Sequence, residues 1–169
     1  GGFERGFTRV DGRLLNGRWQ DQPDSSTIQL FFQLLAVCHT IVPEGEGAEL
    51  SYQAESPDEL AFVVAAKTLG FFFHKRSTTH VHVACKGGAD GGGQPPQNLV
   101  FQLLAILDFS SDRKRMSVVC RHPDGRILIF CKGADSVVFD RLAAHGNPWS
   151  ELTLEHLESF AQSGLRTLC

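Results

Sequence analysis

Residues 98–133 read NLVFQLLAILDFSSDRKRMSVVCRHPDGRILIFCKG, and their pattern decides the fold. A long apolar run over 98–109 reads as one strand. It is followed by 115–121, where Met116, Val118 and Cys120 recur at a spacing of two, the period of a half-buried strand. His122-Pro123-Asp124-Gly125 is a turn with a mechanism, because proline presets φ and glycine tolerates the left-handed position. The apolar run 127–131 then returns as the hairpin partner. These strands predict an antiparallel sheet.

Outward from this block the period changes to that of helices. Upstream, Ile28, Phe31, Phe32, Leu35 and Cys38 recur at helical spacing behind an Asp24/Ser25 cap, predicting a helix over 25–39. The stretch 43–47 breaks it, and 50–54 makes a short strand. Ser56-Pro57-Asp58-Glu59 is a capping box with proline at the first helical position. The helix it opens is apolar nearly all round, which predicts burial, and stops at Gly70. Residues 71–73 and 79–85 read as strands, and 86–97 (KGGADGGGQPPQ) as a flexible surface loop. Downstream, helices are expected over 134–144, ended by Gly146 and Pro148, and over 153–163, ended by Gly164. Residues 1–24 read as an irregular lead-in, leaving 25–169 as one domain. Hairpins with peripheral helices and no βαβ alternation predict an α+β fold.

Composition narrows the class. The 169 residues suit one domain, and 42% apolar with 21% charged content is that of a globular chain. A net charge of −3 gives no pull toward nucleic acid or anionic lipid. The five cysteines (Cys38, Cys85, Cys120, Cys131, Cys169) are scattered, odd in number and without a CxxC pair, which favours a reducing compartment over a disulfide scaffold. No run approaches the roughly 18 apolar residues of a membrane span, and residues 1–20 lack the apolar core of a signal peptide. The chain opens on Gly-Gly and stops at Cys169 within an ordered-looking segment, so it reads as a piece of something larger.

No self-sufficient phosphate site is present: there is neither a GxxxxGK[ST] loop nor a GxGxxG fingerprint between strand and helix. The glycine run at 87–93 leads into Gln-Pro-Pro rather than a helix N-terminus, so it reads as a plain loop. More telling is the imbalance between Arg113 and Lys132: Arg113, Lys114, Arg115, Arg121, Arg126 and Lys132 face Asp124 as the one acid. Phe109 heads this block. An aromatic ring beside cations can stack a base while the cations meet phosphate, although composition alone favours a core phenylalanine beside solvated hairpin charges. Lys132-Gly133-Ala134 ends a strand beside small residues that let a ligand approach; the alternative is a lysine lying in water. Glu59 has a capping role already. His80, His82 and Cys85 suggest a metal only faintly, with no fourth ligand in view.

Five segments taken together resemble a known family: LLAVCHTIVPE (34–44), YQAESPDELAF (52–62), LDFSSDRKRMSVVCR (107–121), FCKGAD (130–135) and GLRTLC (164–169). Their order and spacing are similar to the nucleotide-binding domain of P-type ATPases, specifically the phospholipid flippases. Ion-pumping relatives usually follow Lys-Gly-Ala with proline, where this chain has Asp135. The resemblance covers about Gly12 to Cys169. Residues 1–11 match nothing in it, and the 86–97 loop is richer in glycine and proline than the family pattern.

The resemblance implies a sheet of about six strands and an ATP site on Glu59, Phe109, Ser111, Lys114, Arg115, Lys132, Gly133, Ala134 and Arg166. Phe109 would stack adenine, Glu59 would accept from its amino group, and Lys132 with Gly133 and Ala134 would form the floor. Lys114, Arg115 and Arg166 would meet phosphate, and Ser111 a ribose or phosphate oxygen. The family's phosphorylated Asp-Lys-Thr-Gly-Thr string is absent, so the chain is expected to hold ATP without hydrolysing it, with no metal ligands and no catalytic residue of its own. In the parent, the resemblance implies transfer of the γ-phosphate to an Asp in a phosphorylation domain, with Mg2+ bound mainly there. It further implies an actuator domain, an accessory beta subunit that does not touch this domain, and a place on the cytoplasmic face of a eukaryotic membrane. The piece itself is expected to be monomeric and to bind no nucleic acid. An interaction module without nucleotide, or an autonomous NTPase, are the competing classes.

Overall fold

The computed structural model describes residues 11–45, 47–85, 97–143 and 147–169. The readings for 1–10, for most of the glycine-rich loop (86–96) and for 144–146 lie outside the described residues. The chain forms α1 (Ser25–Val37), β1 (Val42–Glu44), β2 (Ser51–Gln53), α2 (Pro57–Thr68), β3 (Phe71–Arg76), β4 (His80–Cys85), β5 (Gln97–Leu107), β6 (Arg115–Arg121), β7 (Ile127–Gly133), α3 (Asp135–Phe139) and α4 (Ser150–Gln162). Five strands form one sheet in the order β3-β4-β5-β6-β7, and β1-β2 form a separate antiparallel pair. The α+β class thus holds, with five strands in the main sheet rather than about six.

The chain divides into two units. One runs up to Ile106 and takes in Val118–Phe130; the other joins Leu107–Ser117 to Cys131–Cys169.

In the first unit, strand register explains the core. Phe71 pairs with Cys85 and Phe73 with Val83, while Val83 pairs with Leu99 and Val81 with Phe101. Partners across a ladder share a face, so these residues all point the same way and all are buried. Helices α1 and α2 pack on β3 from that side, with the Phe32 ring of α1 tilted against Phe71 at 5.7 Å between centroids. Burying a phenylalanine of this kind contributes roughly 1.5–3 kcal/mol.

Local signals account for most helix ends. Ser56 caps α2 through its Oγ, which accepts from Glu59 N at 3.4 Å, and Pro57 occupies the first turn. Gly70 ends the helix with φ +98°, a left-handed position that suits glycine. The α1 cap differs from expectation: Asp24 makes no side-chain capping bond, and its carbonyl accepts from Thr27 N and Ile28 N. The lead-in also departs from the sequence reading. Leu15–Asp21 is a 3-10 segment kinked at Asn16 and Gly17, and it buries Trp19 (4% exposed) against Phe71 at 5.2 Å. The core of this unit therefore draws on a residue six positions before α1.

In the second unit α3 is shorter than the 134–144 expected. After Phe139 the bonds tighten to three-residue spacing, Arg141 N to Val138 O and Leu142 N to Phe139 O, and the helix stops. Helix α4 begins at Ser150, three residues before the expected start, and none of its residues is buried.

Candidate functional site

Eight of the nine residues singled out in the sequence fall in the second unit: Phe109, Ser111, Lys114, Arg115, Lys132, Gly133, Ala134 and Arg166. Glu59 lies in the first.

The second unit is organised around a close crossing of backbones. A Cβ placed on Gly133 would stand 2.5 Å from Arg115 Cβ and 2.5 Å from Lys114 O, so only glycine fits where the end of β7 meets the start of β6. Gly133 also exchanges both backbone bonds with Cys169, N to O at 2.7 Å and O from N at 2.9 Å. That pairing ties down the 164–169 segment that carries Arg166. Ala134 N donates to Lys114 O at 3.0 Å. Lys114 itself has φ +49°, uncommon for a residue with a side chain. Its amide donates to Ser110 O at 2.7 Å, so the conformation is fixed from both sides.

The strand expected over 98–109 ends at Leu107, which leaves Phe109 beyond it on the turn that follows. Its ring is 63% exposed, so the core reading of Phe109 is set aside. The turn is held by Arg113, whose Nη1 donates to Leu107 O (3.0 Å) and Asp108 O (2.8 Å), and whose amide donates to Ser110 Oγ (3.2 Å). Ser111 is exposed on the same turn. Arg115 is half-buried and gives Nη1 to Arg113 O at 3.0 Å. Lys132 is only 9% exposed, so it is not a strand-end lysine lying in water. An ammonium shielded in this way acts on an anion through less solvent than a surface lysine does.

Glu59 has a defined task in the first unit. Its Oε2 accepts from Thr40 N (3.0 Å) and Thr40 Oγ1 (2.9 Å), fastening the chain after α1 to the first turn of α2. Two of the quoted segments, LLAVCHTIVPE (34–44) and YQAESPDELAF (52–62), therefore meet through this pair. The neighbouring His39 is fully buried, edge-on to Phe73 at 4.6 Å, with Nε2 bonded to Ala36 O.

The His80, His82 and Cys85 trio does not come together. On β4, Cys85 is buried with Val81 and Val83, while His80 and His82 occupy the opposite face. Among the described residues no group of three His, Cys, Asp or Glu side chains could hold a metal ion. All five cysteines are free thiols, and burial pushes Cys120 up to about 11, so it serves as a packing residue rather than a nucleophile. What the sequence reading missed was Arg113: in the run Arg113-Lys114-Arg115 three cations look alike, and nothing in residue type separates the one bound to backbone.

Residues 27–169 match the family described as P-type ATPase, cytoplasmic domain N. The chain is similar to the probable phospholipid-transporting ATPase 11 of Arabidopsis thaliana, 47% identical over 97% of this chain and 14% of that protein. Phospholipid-transporting ATPase 10 of the same plant is 46% identical over 97% and 14%, and ATPase 6 is 43% identical over 97% and 13%. The chain thus spans about one-seventh of the length of these relatives. No helix among the described residues is long and apolar enough to cross a membrane.

Proposed function

Since this chain belongs to the family of P-type ATPase cytoplasmic N domains, we infer that it binds ATP on its second unit, with Phe109 as the platform for adenine. The observation that supports this best is the ring itself: a phenylalanine left 63% in water on a tied turn. A stacked base covers such a ring, and stacking contributes about 1–3 kcal/mol. Lys132, shielded beside Gly133, supplies a cation at a place where glycine keeps the backbone low. Lys114, Arg115 and Arg166 supply further positive charge for phosphate oxygens, and Ser111 a hydroxyl. Glu59 is bound to Thr40, and the reading does not depend on it.

Mg2+ would be carried on the phosphates of ATP, which suit a hard cation, and its protein ligands would lie mainly in the parent's phosphorylation domain. Phosphoryl transfer needs an in-line nucleophile, so hydrolysis belongs to the parent, where transfer to an Asp would drive phospholipid movement. That the similar Arabidopsis proteins are named phospholipid-transporting ATPases supports that substrate class.

Without partner domains the affinity is modest, with a Kd of about 0.1 to several mM. The test is an ATP titration by NMR of the wild-type chain beside Phe109→Ala and Lys132→Ala. Saturable shifts in the wild type, lost or strongly weakened in both variants, support the reading. A folded wild type indifferent to several millimolar ATP would favour the interaction module, and metal-dependent turnover by the chain alone would favour the autonomous NTPase.

A further inference from the structure

We propose that Arg113 is the positioning residue of this site: it braces the turn that carries Phe109 and does not itself meet phosphate. The inference rests on the reading of Phe109 as the adenine platform. Two parts of Arg113 act on one short stretch of chain, and a third reaches β6. Nη1 donates to Leu107 O (3.0 Å) and to Asp108 O (2.8 Å). Nη2 reaches Ser117 Oγ at 3.5 Å. The backbone amide donates to Ser110 Oγ at 3.2 Å. Both neighbours of Phe109, Asp108 before it and Ser110 after it, are thus bound to one residue.

The planar guanidinium fork suits this work, since two carbonyls and a hydroxyl lie at different angles and an ammonium reaches them less well. Arg113 is also half-buried where Lys114, next in the chain, is exposed. The two cations are turned to different tasks: Arg113 inward onto backbone oxygens, Lys114 outward. An exposed ring on an untied turn samples many directions, and ligand binding then has to order it. A ring already held in place skips that ordering, which is the general benefit of preorganisation.

The experiment titrates the full 169-residue chain with ATP, with adenosine and with inorganic tripolyphosphate, followed by 1H–15N NMR at about 150 mM salt to screen long-range charge. The proteins are wild type, Arg113→Gln, Arg113→Lys, Phe109→Ala and the Phe109→Ala/Arg113→Gln double variant. The expected result is that Arg113→Gln weakens ATP and adenosine alike, by about tenfold, and leaves tripolyphosphate unchanged. It adds nothing in the Phe109→Ala background, and Arg113→Lys recovers part of the loss. An equal loss for tripolyphosphate, or an undiminished loss in the Phe109→Ala background, overturns the proposal by making Arg113 a phosphate ligand. Unchanged adenosine affinity in Arg113→Gln overturns it as well. If the wild type binds neither ATP nor adenosine, the adenine reading fails, and the brace is judged without ligand. Backbone order parameters at Phe109 and Ser110 then fall in Arg113→Gln if the brace is real and match wild type if it is not. Should Arg113→Gln fail to fold, Arg113→Lys carries the same comparisons with a smaller expected loss.

Discussion

The two units of this chain are held together by different means. The first is closed by side chains: Trp19, Phe32, Phe71, Phe73 and Phe101 are buried in it, with His39 edge-on to Phe73 at 4.6 Å and Tyr52 stacked on it at 5.8 Å. The second is closed by backbone. Its fixed points are the Gly133–Cys169 pair, the Ala134 to Lys114 bond and the Arg113 bonds to two carbonyls, while Phe109, Trp149, Leu154, Phe160 and Leu165 stay exposed. Apolar burial gives stability without direction, whereas a network of backbone bonds holds geometry while leaving side chains available. The residues of the proposed site sit on the second kind of framework.

Substitutions separate the two regimes. The largest effect is expected from Phe73→Ala, which empties a fully buried position. It should cost about 3–5 kcal/mol in urea unfolding, and a loss under about 1 kcal/mol would break the contrast. Next comes Gly133→Ala. The added methyl meets Arg115 Cβ and Lys114 O at 2.5 Å, so about 1–3 kcal/mol of strain is expected. Amide exchange should show it first at Ala134 and Cys169, with the Phe71 and Phe73 amides still protected; uniform loosening would mean that the network does not act locally.

Phe109→Ala should leave stability within about 0.5 kcal/mol, because little of the ring is buried, while removing about 1–3 kcal/mol of ATP affinity. A large drop in melting temperature would instead make Phe109 structural. Glu59→Ala is expected to behave in the reverse way, costing about 1–2 kcal/mol through the lost Thr40 bonds, read in thermal melting without ligand.

The smallest effect concerns pH. Burial, and then the charges of His74, Lys75 and His80, hold His82 below the ordinary imidazole value of 6.5. The unfolded chain therefore takes up this proton more readily than the folded one. Stability is full above 6.5 and declines as pH falls toward the lowered folded value. His82→Gln should flatten that decline in melts between about pH 7.5 and 5.5; an unchanged slope would show that His82 does not contribute.

Much of the architecture was legible where signals are local. The start of α2 follows from Ser56 and Pro57, its end from Gly70, and the β6–β7 turn from His122-Pro123-Asp124-Gly125. Other elements were not. β1 holds Pro43, which reads as a breaker; paired with only β2, it tolerates a residue that lacks a donor. The parity of His80, His82 and Cys85 places the cysteine on the other face, and that signal was in the spacing all along. Trp19 was hidden for a different reason, since a lone aromatic in a glycine- and arginine-rich stretch has no period to reveal its burial.

By itself the sequence determined the α+β class, the hairpin and the family, because periodicity, turn chemistry and motif order are all written in neighbouring residues. Tertiary structure alone decided which cation of Arg113-Lys114-Arg115 binds the turn and that Lys132 is shielded. It also decided that Phe109 is left in water and that Glu59 goes to Thr40. Glu59 meets Thr40 across a separation of 19 positions, and the exposure of Lys132 and Phe109 follows from what does or does not pack around them. Arg113 bonds within a separation of 6, yet three adjacent cations of like chemistry carry no sign of which one turns onto the backbone, because hydrogen bonds depend on distance and angle and not on residue type alone.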